Sequence, residues 1–237
     1  MFGIIRPLGI ATCALLLIGP ATSGCRHVSP PANSLASHDS SKWESEIRKF
    51  EEADRVAPPP KDGIEFVGSS SIRLWQTLAE DFPGRPVFNR GFGGSQLADS
   101  VYYADRIIIP YAPRQVVIFA GSNDISAADK SAELVYGDFV ALASKIRREL
   151  PKTKIAFIAI SPTPSRWPHV DRVREVNRRV AAYCKQHDMA FIDTFSLMLG
   201  EDGLPKPDIF VADRLHMNSK GYAIWTKAIE PYLVAPK

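Results

Sequence analysis

Cysteine is scarce, three residues in a chain of 237, and that scarcity excludes a small scaffold stapled by disulfides. Also missing is any run of about 18 or more consecutive apolar residues, the length a membrane-spanning helix requires. Charge has little bias: 29 Lys and Arg stand against 26 Asp and Glu. The resulting net charge of +3 is too small and too evenly mixed to point to a nucleic-acid partner. The pairs Arg147-Arg148 and Arg178-Arg179 fall on the polar faces of expected helices rather than in a basic patch. There is no internal repeat, and no Pro/Gly/Ser-rich linker after about residue 62, so a single domain is expected. With 45% hydrophobic and 23% charged residues, the composition is that of an ordinary globular protein, not a disordered or fibrous one.

What is present begins with a segment that is not fold. Arg6 supplies a basic start, Leu8 to Ile18 an apolar stretch, and Gly19-Pro20 a break. That order predicts an export signal over residues 1–25. Thr22-Ser23-Gly24-Cys25 resembles the lipobox of bacterial lipoproteins, although Thr22 replaces the usual large aliphatic residue. The resemblance implies lipidation of Cys25 and an exported, cell-envelope protein, in the periplasm or outer membrane of a Gram-negative cell. Arg26, in place of an aspartate after Cys25, points to the outer membrane. Cleavage without a lipid would instead give a soluble secreted protein. Residues 26–40, polar with Pro and Ser, read as a flexible tether, and the folded domain is expected over 41–237. If Cys13 is lost with the signal and Cys25 is lipidated, Cys184 has no disulfide partner. It shares helical spacing with Val173, Val176 and Val180, which predicts a buried, inert thiol.

From residue 41 onward the pattern alternates. A helix is expected over about 41–55, through Trp43, Ile47 and Phe50, and Pro58-Pro59-Pro60 ends it. Short apolar runs follow at 64–67, 87–89, 115–120, 154–160 and 189–192. Runs of this kind suit parallel strands buried on both faces. Helical patterns lie between and after them, at about 71–79, 96–109, 131–149, 169–187 and 219–233. Such βα alternation predicts an α/β fold, a parallel sheet between two layers of helices. Its ligand crevice lies beyond the carboxyl ends of the strands.

Four stretches carry chemistry. Gly68-Ser69-Ser70-Ser71 follows the first strand and opens a helix, where a serine either caps the helix or presents its backbone N–H to an anion. Gly91-Phe92-Gly93-Gly94 follows the second, as a tight turn or a place of close backbone approach to a ligand. Gly121-Ser122-Asn123-Asp124 follows the third; Asn123 either starts a helix or donates its amide to an oxyanion. Asp213-Arg214-Leu215-His216 precedes the last helix, with the acid and the imidazole three residues apart, on one face of a turn. Taken singly, each is explained by local structure as well as by function.

Together, and in this order, they resemble the blocks of the GDSL/SGNH hydrolase family, over about residues 64 to 222. Gly93-Gly94 and the spacing to Trp75 are most similar to the branch related to platelet-activating-factor acetylhydrolase. The resemblance implies a flavodoxin-like three-layer α/β/α sandwich with five parallel strands in the order 2-1-3-4-5. It implies a serine esterase with Ser70 as nucleophile, His216 as base and Asp213 as the acid that orients it. The Ser70 N–H, the Gly94 N–H and the Asn123 amide would form the oxyanion hole. Short-chain or acetyl esters of a small molecule, carbohydrate or lipid are the expected substrates, with no cofactor and no metal. An acyltransferase on the same triad, or a catalytically silent binding module, are the alternatives. A flavodoxin-like nucleotide-binding protein fits the sheet but not the Asp-x-x-His block. Ser69 departs from the family, which has aspartate there. Ser69 is expected to point into the domain and to replace that carboxylate's hydrogen bonds. The remaining histidines, His27, His38, His169 and His187, read as surface residues.

Overall fold

A computed structural model describes residues 1–3 and 30–235. The expected signal segment, Cys25 and the start of the tether therefore lie almost wholly outside the described residues. Five strands form one parallel sheet: β1 (Ile64–Gly68), β2 (Val87–Gly91), β3 (Gln115–Phe119), β4 (Lys154–Ile158) and β5 (Ala190–Ile192). Their spatial order is β2-β1-β3-β4-β5, the order expected. Neighbours are in simple parallel register, with Gly68 opposite both Gly91 and Phe119.

Side chains alternate across a pleated strand, and this sorts the core into two halves. Val67, Val116, Ile118, Ile155 and Phe157 face one layer. It is built from α1 (Glu44–Val56), α4 (Leu97–Ile107), α6 (Ala132–Glu149) and α7 (Val170–Gln186). Ile64, Phe66, Val117, Phe119, Ala156 and Ile158 face the other. That layer holds α2 (Ser70–Arg73), α3 (Leu78–Asp81) and α8 (Ser219–Ile229), while the short α5 (Ser122–Ser126) follows β3. Cys184 is buried in the first layer, and its burial pushes the thiol up to about 12, so it stays protonated and unreactive.

Three expectations need correction. The single helix expected over 71–79 is two short pieces, α2 and α3, because Trp75 turns inward between them. Its ring packs against Phe66, Phe82, Tyr222 and Trp225, and its indole N–H donates to Asp81 at 2.6 Å. The last helix stops at Ile229 rather than 233, and Pro231 lies in a 3-10 turn, Glu230–Tyr232. The tether is the larger correction. From residue 32 onward it packs on the domain instead of standing free. Ser34 and Ser40 are buried, and an added Cβ on Gly137 of α6 would meet the Ala32 carbonyl at 1.8 Å. Buried hydrogen bonds to residues far along the chain hold this segment down, and local composition does not reveal them.

Candidate active site

The site forms where β1, β2 and β3 end. Gly68 closes β1 at φ +140°, with any Cβ 1.9 Å from the Phe119 carbonyl, so the turn into α2 requires glycine. That turn leaves Ser70 as the first residue of α2. Its Oγ lies 2.8 Å from His216 Nε2. The other ring nitrogen, Nδ1, donates to Asp213 Oδ2 at 2.6 Å. Asp213 Oδ1 accepts the backbone N–H groups of Leu215 and His216 at 2.8 and 2.9 Å. Arg214, at φ +59°, makes the tight bend that folds the carboxylate back under the ring. Burial acts to raise the Asp213 carboxyl, but the bonds from the His216 ring and the two N–H groups outweigh it and bring it to about 2. Ser70, His216 and Asp213 thus form one hydrogen-bonded relay.

Gly94 and Asn123, expected beside Ser70, are brought together. A Cβ on Gly94 would lie 3.8 Å from Asn123 Nδ2, and Asn123 lines the same cavity as Ser70 and His216. Asn123 donates one amide hydrogen to the Ser95 carbonyl at 2.9 Å, which leaves the second for a ligand. Among the described residues, the backbone N–H groups of Ser70 and Gly94 have no protein partner.

Ser69 is buried as expected. Its hydroxyl does not cap the helix, however, and the residue is among those lining the cavity beside Ser70. That hydroxyl makes no hydrogen bond among the described residues, so the expectation that it replaces a carboxylate's hydrogen bonds is corrected.

Three residues escaped the sequence reading. Arg166, in the 3-10 turn after β4, donates to Asn123 Oδ1 at 2.8 Å and to Ser122 Oγ at 2.7 Å. It fixes the Asn123 carbonyl oxygen and so sets the orientation of the amide N–H₂. The crevice rule for parallel sheets directs attention to the loop after each strand, and applied to β4 it would have pointed to this turn. Ser161 and Thr163, on the same loop, are buried with hydroxyls that lack partners among the described residues, and both line the cavity. The cavity beside Ser70 measures about 20 Å³ and is walled by Phe119, Phe210 and Met217. No cluster of three or more metal-ligating side chains occurs among the described residues.

Residues 62–224 match the model of the GDSL-like Lipase/Acylhydrolase family. Solved structures share the fold. A GDSL-like lipase from Bacteroides thetaiotaomicron is 21% identical, with a TM-score of 0.69 over 78% of this chain and 96% of that one. A protein from Streptococcus pneumonia, named for platelet activating factor, is 19% identical, with a TM-score of 0.71 over 81% and 94%. A catalytic mutant of an acetylxylan esterase from Geobacillus stearothermophilus is 16% identical, with a TM-score of 0.59 over 71% and 92%. No curated protein matches the sequence significantly.

Proposed function

We propose that this chain, which belongs to the GDSL-like lipase/acylhydrolase family, is a serine esterase that removes acetyl or other short acyl groups through Ser70. The observation that carries the reading is the unbroken relay from Ser70 Oγ through His216 to Asp213. It opens on a cavity into which Asn123 faces. A serine hydroxyl is a weak nucleophile until a base takes its proton, and His216 Nε2 stands at hydrogen-bonding distance to do so. Ser70 Oγ bonds to the ester carbonyl carbon while its proton passes to Nε2, and the carbonyl oxygen takes the negative charge. The N–H of Ser70, the N–H of Gly94 and the Asn123 amide receive that charge. Collapse breaks the bond to the alcohol, which leaves with the proton from Nε2. Water then attacks the acyl-Ser70 carbonyl, giving a proton to the same nitrogen; collapse breaks the bond to Ser70 Oγ, which takes that proton back from Nε2, and the acid is released. Asp213 holds the ring orientation throughout and stabilises the imidazolium.

Cavity size supports the acyl preference. At about 20 Å³ the space beside Ser70 is little more than one probe sphere, which favours a small acyl group there. A panel of p-nitrophenyl esters from acetate to palmitate tests both points. Turnover should be highest on acetate, fall at least tenfold by hexanoate, and vanish in Ser70→Ala. Equal or better rates on long chains would overturn the acyl assignment, and an active Ser70→Ala enzyme would overturn the nucleophile. We further propose that the protein is exported and anchored through a lipid on Cys25, on the strength of the lipobox resemblance alone.

A further inference from the structure

The family match starts at residue 62, yet the segment before it reaches the loop that carries Gly94. Three contacts make the link. Trp43 lies on the bare face of Gly93, where a Cβ would approach its ring to 1.9 Å, and its ring meets Phe92 edge-on at 5.8 Å. His38 Nε2 lies 2.7 Å from Asp99 Oδ1, and the other oxygen of Asp99 accepts the Gln96 N–H at 2.8 Å. Ser34 donates its N–H and its hydroxyl to the two oxygens of Asp138, each at 2.7 Å. Lys130 bridges Asp138 to Asp124 at 2.9 and 3.3 Å, and Asp124 accepts the Leu97 N–H.

The consecutive N–H groups of Gln96 and Leu97 are therefore each held by a buried carboxylate, Asp99 and Asp124. Each carboxylate is tied in turn to the N-terminal segment. Asp99, Asp124 and Asp138 have no exposed surface, and Lys130 is only 4% exposed. A buried carboxylate is costly unless paired, so this arrangement specifies one position for the loop. The loop matters to the chemistry because the Ser95 carbonyl holds Asn123 and Gly94 abuts it.

We propose that residues 34–43 form a strap that positions the Gly94 loop and Asn123 for oxyanion binding, with His38 and Ser34 as positioning residues. The proposal rests on the ester-hydrolase reading for its catalytic consequence, but not for its structural one. Losing a whole oxyanion donor lowers turnover roughly 10²–10³-fold in other hydrolases, so a misplaced one should cost about tenfold. The experiment compares the wild-type protein with His38→Ala, His38→Gln and Ser34→Ala, using p-nitrophenyl acetate kinetics and amide hydrogen exchange. In His38→Ala, kcat should fall about tenfold with KM within twofold, and His38→Gln, which keeps a donor for Asp99, should recover most of the loss. Exchange across 93–97 should quicken at least tenfold in His38→Ala and Ser34→Ala while the strands β1 and β3 stay protected. Exchange requires no substrate, so it decides the strap even if wild type fails to hydrolyse the ester. A loop whose exchange is unchanged, exchange that rises equally across the sheet, or a kcat loss that His38→Gln does not repair would overturn the proposal.

Discussion

Asp213 shows how a single side chain serves two needs. It holds the imidazole by one oxygen and the backbone of its own turn by the other. With its carboxyl at about 2 against an ordinary 3.8, the sign is that of a depressed acid. Its contribution to stability is present above about pH 4 and is lost as pH falls towards 2. The side chain is about half exposed, so solvent screens the contribution and keeps it small. Asp213 therefore stays ionised from about pH 4 upward and holds the ring of His216 throughout that range. Asp213→Asn should fold normally but lose turnover by roughly 10³–10⁴, as when the acid of a comparable triad is amidated. Normal kinetics with a normal circular dichroism spectrum would show that the relay does not matter. Arg166 makes a second case at this scale. Its planar fork reaches Ser122 and Asn123 at once, which a single ammonium does poorly. Arg166→Lys should lower kcat about tenfold with KM within twofold, and an unchanged kcat would count against its role in aiming the amide.

At the scale of elements, β1 carries an anomaly. Glu65 lies in the middle of the sheet with no exposed surface, and neither carboxyl oxygen has a hydrogen-bond partner among the described residues. Burial pushes its carboxyl well above the usual range; nearby Arg90 pulls the other way and Asp54 adds to the rise. The folded state therefore favours the neutral form of Glu65. Its contribution to stability is fully present below about pH 4.5, the unfolded value, and is lost as pH rises through the folded one. Glu65→Gln, which cannot ionise, should match wild type in thermal midpoint near pH 4.5 and exceed it increasingly towards pH 9. A constant offset at every pH would refute the assignment.

The elements also explain what the sequence discloses. Five apolar runs separated by helical periods are local signals, and each strand appears within two residues of its expected place at either end. Ser70, Asn123, Asp213 and His216 are legible because each sits at a fixed offset from a strand end or the last helix. Trp75 is not, because its inward turn depends on Tyr222 and Trp225, far along the chain. Neither are Ser34 and His38. Both lie in a Pro/Ser-rich stretch that reads as solvent-exposed, and their partners Asp138 and Asp99 are 104 and 61 residues away.

At the scale of the whole molecule, the packed strap changes what a lipid on Cys25 would do. No helix among the described residues is long and apolar enough to cross a membrane; the attachment proposed is the N-terminal lipid that the lipobox resemblance suggests. A tether running to residue 40 would let the domain stand well away from the bilayer. Ser34 is fixed on α6 through Asp138, so only the nine residues after Cys25 up to Ser34 are left to span. At about 3.3–3.6 Å per extended residue, that keeps the domain within roughly 30 Å of the surface. We propose that an enzyme anchored so close would work on esters at or near the membrane face. Metabolic labelling with palmitate should mark wild type and not Cys25→Ser, while Cys25→Ser should appear as a soluble esterase of unchanged kcat on p-nitrophenyl acetate. Absence of label on wild type would leave a soluble exported enzyme and remove the anchor. With the label present, inserting about ten Gly/Ser residues before residue 30 should leave kcat on the small ester unchanged and raise turnover of esters on a distant, non-membrane surface. No gain there would show that tether length does not limit reach.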